Sequence, residues 1–179
     1  MIRVLFVGAL GLLGLGLVSG AQDEPQEPLM LIDVEEFTGE VVAVLSADTV
    51  EVVWTDTPIS VCFAGIDAPE LQQTHGTEAR RHVEGMLQSR RVRVRLRGLD
   101  SPPHCERFGQ VLLEGQDISR EIVEAGWAWL CVESAFPAYV SGLREAERQA
   151  RESGRGVWMN AEPTPPWVHR GASTCVDGW

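Results

Sequence analysis

Two aspartates close segments that read as strands: Asp48 in Ser46-Ala47-Asp48-Thr49, and Asp67 in Gly65-Ile66-Asp67-Ala68-Pro69-Glu70. Carboxylates at neighbouring strand-end turns can converge on a hard cation, since Ca2+ takes its ligands from carboxylate and carbonyl oxygens. Glu70 follows three residues after Asp67, beyond a proline that stiffens the loop. A carboxylate beside a divalent metal can serve as general base toward a water that the metal holds. The simpler reading of each acid alone is a turn former, and only their common position at strand ends favours the chemical one. Arg91-Val92-Arg93-Val94-Arg95-Leu96-Arg97 alternates strictly, which puts four arginines on one face of a strand. That face is either a solvated outer surface or a basic stripe along which a phosphate backbone could lie.

The chain that must position these groups has 179 residues, 44% of them hydrophobic and 23% charged, the range of one ordinary globular domain. Collagen, a disordered tail and a polytopic membrane protein are excluded. There are 15 basic residues, all Arg, against 26 acidic ones, for a net charge of −11. Such a balance argues against a tight, non-specific DNA binder, which would show a basic footprint. Arg3, an apolar Gly-rich run from Val4 to Val18 and Ser19-Gly20-Ala21 read as a signal peptide over 1–21, cut before Gln22. The run is shorter than the roughly 20 residues of a spanning helix. The mature chain is then exported, periplasmic or extracellular, without a membrane span, although a retained N-terminal anchor is the alternative. Cys62, Cys105, Cys131 and Cys175 contain no C-x-x-C, which disfavours zinc. In an exported protein four cysteines read as disulfides, with three pairings open.

Residues 22–36 are acidic and Pro-containing and read as a flexible leader. Val-rich runs at 39–45, 49–54 and 59–66, separated by short turns, predict a β meander. A helix is expected from Thr77, with Val83, Met86 and Leu87 on its apolar stripe. Strands at 91–97 and 108–113, a short helix from Asp117 to Gly126 and a last helix near 138–153 complete the order. The Pro- and Gly-containing tail, 161–179, reads as irregular. Five strands with helices inserted late make an α+β fold, compatible with a small Greek-key barrel.

Gly39-Glu40-Val41-Val42-Ala43-Val44, Asp48-Thr49-Val50-Glu51-Val52 and above all Gly65-Ile66-Asp67-Ala68-Pro69-Glu70 resemble the staphylococcal nuclease-like, or thermonuclease, family. Gly115-Gln116-Asp117-Ile118, Val123 to Trp129, Glu145 to Arg151, Gly156-Val157-Trp158 and a closing Pro166-Trp167 with Arg170 continue the likeness in order, over about 37–170. The resemblance implies a thermonuclease-like domain over 37–160, an OB-like five-stranded Greek-key β-barrel with three helices. It also implies Ca2+-dependent cleavage of DNA or RNA by a monomer, with single-stranded DNA or RNA as partner. Asp48 and Asp67 match the family's metal carboxylates, Ala68 a position that offers its carbonyl, and Glu70 the general base.

Two departures stand out. Cys62 occupies the position of one family arginine that neutralises phosphate charge, a task a neutral thiol cannot perform. The second arginine has no clean match: Glu106, Arg107 and Gln110 compete, and Arg107 alone has the right charge. Removing such a clamp typically slows phosphoryl transfer about 10³–10⁵-fold, so the resemblance implies a weakened nuclease. Because the two arginines face one phosphate in the family, it also implies a Cys62–Cys105 disulfide, leaving Cys131 to pair with Cys175 at the tail. Two other readings remain open: an inactive nuclease-fold module that binds nucleic acid or a protein, and a structural domain in which the acids only cap turns.

Overall fold

Alternating valines become a closed barrel. The computed structural model describes residues 35–96 and 106–176. The expected signal peptide, most of the acidic leader, Arg97 and Cys105 lie outside the described residues, which belong to one unit spanning Ile32–Trp179. β1 (Glu36–Val44), β2 (Thr49–Trp54) and β3 (Thr57–Phe63) form the meander. The β2–β3 turn has only two residues, Thr55 and Asp56, both at positive φ, whose twist suits adjacent antiparallel strands. The third apolar run divides at Ala64-Gly65, and Ile66–Asp67 becomes a separate short strand, β4.

After α1 (Gly76–Leu87), β5 (Arg91–Leu96) pairs antiparallel with β1, and β6 (Arg107–Leu113) pairs antiparallel with β5. β6 then closes on β3 in parallel, with Cys62 opposite Phe108. The result is the expected five-stranded OB-like barrel of an α+β fold. Its interior is filled by Val41, Val50, Val52, Val61, Val94 and Val111, none with measurable exposure. Sheet closure leaves these five strands no free edge along the pairing order. In β5 the arginines face out and Val92, Val94 and Leu96 face in, as the alternation requires. Arg93 and Arg95 pair with Glu36 across the β1–β5 ladder, at 3.6 and 2.6 Å. They form a solvated face, the simpler of the two sequence readings.

β7 (Gln116–Asp117) leads into α2 (Ile118–Glu124), where Asp117 accepts from the Ser119 N–H at 2.9 Å and caps the helix. β8 (Trp129–Leu130) lies antiparallel to β4, and α3 (Val140–Glu152) packs on α2. The three long helices place Leu87, Ile122 and Leu143 in the same core as the barrel valines. The tail is more ordered than expected: it contains one helical turn, α4 (Pro166–His169), and Cys175 is joined to Cys131. That disulfide is the one the sequence assigned to the tail. Cys62 is also disulfide-bonded; its expected partner, Cys105, lies outside the described residues. No helix among the described residues is long and apolar enough to cross a membrane.

Candidate active site

The β1–β2 turn presents Asp48, and its carboxylate is fully engaged locally. Oδ1 accepts from the Ser46 hydroxyl at 2.5 Å and the Thr49 hydroxyl at 3.2 Å, and Oδ2 accepts from the Ala68 N–H at 2.8 Å. The last bond draws the segment after β4 onto the turn after β1, so residues 20 apart in sequence share one rim. β4 is held from behind: the Gly65 N–H donates to the Ser134 hydroxyl at 3.1 Å, and the Cys131 N–H donates to the Gly65 carbonyl at 2.9 Å. Gly65 itself sits at φ +85, and a Cβ there would meet Leu143 at 2.7 Å. Asp67 thereby emerges at the cleft floor with only 4% of its surface exposed.

Glu70 is positioned by a tight loop. Its N–H donates to the Gln73 side chain, the Gln73 N–H returns to the Glu70 carbonyl at 2.8 Å, and Gly76 opens α1 directly above that carbonyl. A Cβ at Gly76 would lie 1.9 Å from the Glu70 oxygen, so only glycine allows the helix to begin there.

A cleft of about 400 Å³ gathers Asp48, Asp67, Glu70, Cys62 and Arg170 among its lining residues. Arg170 bridges two of the acids. Nη2 donates to Asp67 Oδ2 at 2.7 Å, while Nη1 donates to Asp67 Oδ1 at 3.2 Å and to Glu70 Oε1 at 2.6 Å. Burial pushes the Asp67 carboxyl up to about 7. The Arg170 hydrogen bond opposes that rise, and the charges of Asp48 and Glu70 add to it. Burial works against the charge on Arg170 too, but its bonds to Asp67 and Glu70 outweigh this and raise the guanidinium further. Among the described residues that line it, the cleft sets three acids against one arginine.

Asp48 and Asp67, next to the Ala68 backbone, are the groups here that could hold a cation. The donor set fits a hard one, being all oxygen and composed of acidic side chains beside a backbone carbonyl. Asp48, Asp67 and Glu70 are not a triple of ligand atoms all within 4.8 Å of one another. Among the described residues the group of that kind is Cys131, Glu133 and Cys175, whose two sulfurs are already bonded to each other and cannot act as thiolates.

The structure does not bring Arg107 to the three acids. Its guanidinium lies 5.7 Å from the ring centroid of Trp54, the last residue of β2, and donates to the Glu106 carbonyl. The other two candidates for that role are engaged structurally. Glu106 accepts from the Ser60 N–H at 2.9 Å, and Gln110 donates to Asp117 at 2.6 Å. Cys62 does line the cleft, 3.4 Å from the Thr49 hydroxyl. The residue that sequence reasoning left out of the site is Arg170. Its signal was the closing Pro166-Trp167 motif, read only as a family marker.

A barrel closed by a parallel β3–β6 pair, with Asp48 after β1 and Asp67 in β4 on one cleft, is an OB-like fold. The sequence model described as Staphylococcal nuclease homologue matches residues 60–160, and the chain belongs to that family. It is 29% identical over 144 residues to an "Uncharacterized endonuclease" of Escherichia coli O157:H7, covering 80% of this chain and 89% of that protein. It is 31% identical over 147 residues to a "Micrococcal nuclease" of Shigella flexneri, covering 77% and 83%. "Protein ParB" of Escherichia coli is 29% identical over 148 residues, covering 75% and 80%.

Proposed function

We propose that this protein is an exported, Ca2+-dependent phosphodiester hydrolase acting on DNA or RNA, with activity reduced by the loss of the arginine at Cys62. The observation that carries this reading is the convergence of Asp48, Asp67 and Glu70 on one cleft, in a family whose relatives include proteins named as an endonuclease and as a nuclease. Asp48 and Asp67 would hold the cation, which supplies positive charge against the phosphate oxygens. Glu70, more exposed than Asp67 and paired with the same guanidinium, would take a proton from an attacking water. Thr49 and Ser46 hold Asp48 in one orientation, and the Ala68 N–H fixes its second oxygen. The uncharged, signal-like run from Val4 to Ala21 supports export.

The test is cleavage of single-stranded DNA and of RNA by purified protein with Ca2+ and with chelator. Metal-dependent cleavage is expected, and Glu70→Gln should lower it about 10²–10⁴-fold, the usual contribution of a general base. No metal-dependent cleavage above the Glu70→Gln background would reject the enzyme. The binding-module reading is favoured by one observation: Cys62, in the place of a catalytic arginine, is locked in a disulfide. Single-strand binding without cleavage would select it.

A further inference from the structure

We propose that Arg170 is the phosphate-binding cation of this cleft, delivered by the C-terminal segment in place of the arginine absent at Cys62. The inference rests on the hydrolase reading for its substrate class, a phosphodiester, but on separate residues. Arg170 and Cys62 line the same cleft from opposite parts of the chain, one after α4 and one in β3. Arg107, the sequence candidate, lies elsewhere, so of these two arginines only Arg170 reaches the acids.

The C-terminal segment is built to hold that guanidinium still. Its backbone N–H donates to the Pro166 carbonyl at 3.0 Å, fixing Arg170 at the end of α4. Trp167, in α4, packs edge-on against Trp129, the residue paired with Asp67 in the β4–β8 ladder. Gln73, which also holds the Glu70 loop, donates to the Thr164 carbonyl. Beyond Arg170, Cys175 is bonded to Cys131, immediately after β8. The segment is thus anchored on both sides of Arg170, close to the strand pair that carries Asp67. Such anchoring is more than charge balance requires, since a surface arginine could offset one carboxylate without it.

The chemistry suits a phosphate. A guanidinium fork matches phosphate oxygens as well as carboxylate oxygens, and 30% of the Arg170 side chain is exposed. Two anions now share it, Asp67 and Glu70. When a cation engages Asp67, the guanidinium has donors to offer a phosphate at the distance at which it now holds carboxylate oxygens.

The experiment compares wild type, Arg170→Gln and Arg170→Lys for binding a short phosphorothioate single-stranded DNA in Ca2+, by fluorescence anisotropy across a salt series. On a single strand, loss of one phosphate contact should lower the slope of log affinity against log salt by about 0.7. Arg170→Gln is expected to show that fall with weaker binding, by about tenfold or more, whereas Arg170→Lys keeps the slope and loses affinity. An unchanged slope in Arg170→Gln overturns the proposal, as does tighter binding, which would make Arg170 a plug. Absence of binding by the wild type overturns it too. Should Arg170→Gln not fold, the Arg170 Nε–Hε NMR signal of the wild type is the readout, assigned through Arg170→Lys. A shift on adding the same strand supports the contact, and no shift rejects it. Cleavage of ordinary DNA, measured in parallel, separates the two claims. A reduced slope without any cleavage leaves the phosphate contact standing and removes the hydrolase, and cleavage with an unchanged slope does the reverse.

Discussion

Asp67 is where burial and chemistry compete. It lies almost wholly out of water between Arg170 and two other acids, and its carboxyl is raised from 3.8 to about 7. An acid raised on folding binds more protons in the folded than in the unfolded chain between those two values. Stability must then fall as pH rises from about 4 to about 7, and the contribution is fully present only below the unfolded value. Each tenfold change in proton affinity is worth about 1.4 kcal/mol, so the loss attributable to Asp67 is at most about 4 kcal/mol. Denaturation in urea with chelator present, at about pH 5 and about pH 8, should show about 2–3 kcal/mol of that loss in the wild type. Asp67→Asn should show a shallower one, and an equal or steeper loss in the variant would refute the assignment. Addition of Ca2+ at the higher pH should restore stability in the wild type, since a ligand that binds only the folded chain stabilises it.

At the scale of elements, the sequence was most readable where one local rule sufficed. The meander, the outward arginines of β5 and the Asp117 cap of α2 each follow from period-two alternation or from one capping side chain. Where neighbours in space decided, local rules failed. The third apolar run divides because Gly65 must turn against Leu143; α1 opens within a residue of the expected Thr77, and there Gly76 rests on the Glu70 carbonyl, a contact no local pattern announces. That contact ties the helix to the candidate base. Gly76→Ala should lower stability by about 1–3 kcal/mol, the usual cost of overpacking, and reduce cleavage as Glu70 is pushed from its place. Gly85→Ala, on the same helix with nothing within 4 Å of the added methyl, should be neutral or stabilising by up to about 1 kcal/mol. Thermal melts and initial rates of both variants check the pair; equal behaviour would mean that the Gly76–Glu70 contact does not position the base.

For the molecule as a whole, the disulfide between Cys131 and Cys175 closes the chain over 44 residues and fastens the segment that carries Arg170. Replacing both cysteines with serine should cost about 2–4 kcal/mol, because the unfolded chain regains the freedom the bridge removes. Denaturant midpoints of the double variant check this. Its cleavage rate should fall further than its stability predicts, since the cleft loses the anchor of the one arginine among the described residues that line it. From the chain alone came the expectation of export, the α+β barrel, the family and the three acids, because repeating patterns and a short contiguous motif carry them. The Cys131–Cys175 pairing was also legible, once the barrel was assumed. The folded arrangement alone decided that Arg107 lies over Trp54 and Arg170 lies on Asp67. A charged side chain's partner is set by which distant segments dock, and that depends on the packing of Trp167, Trp129 and the tail, none of which leaves a periodic trace in sequence.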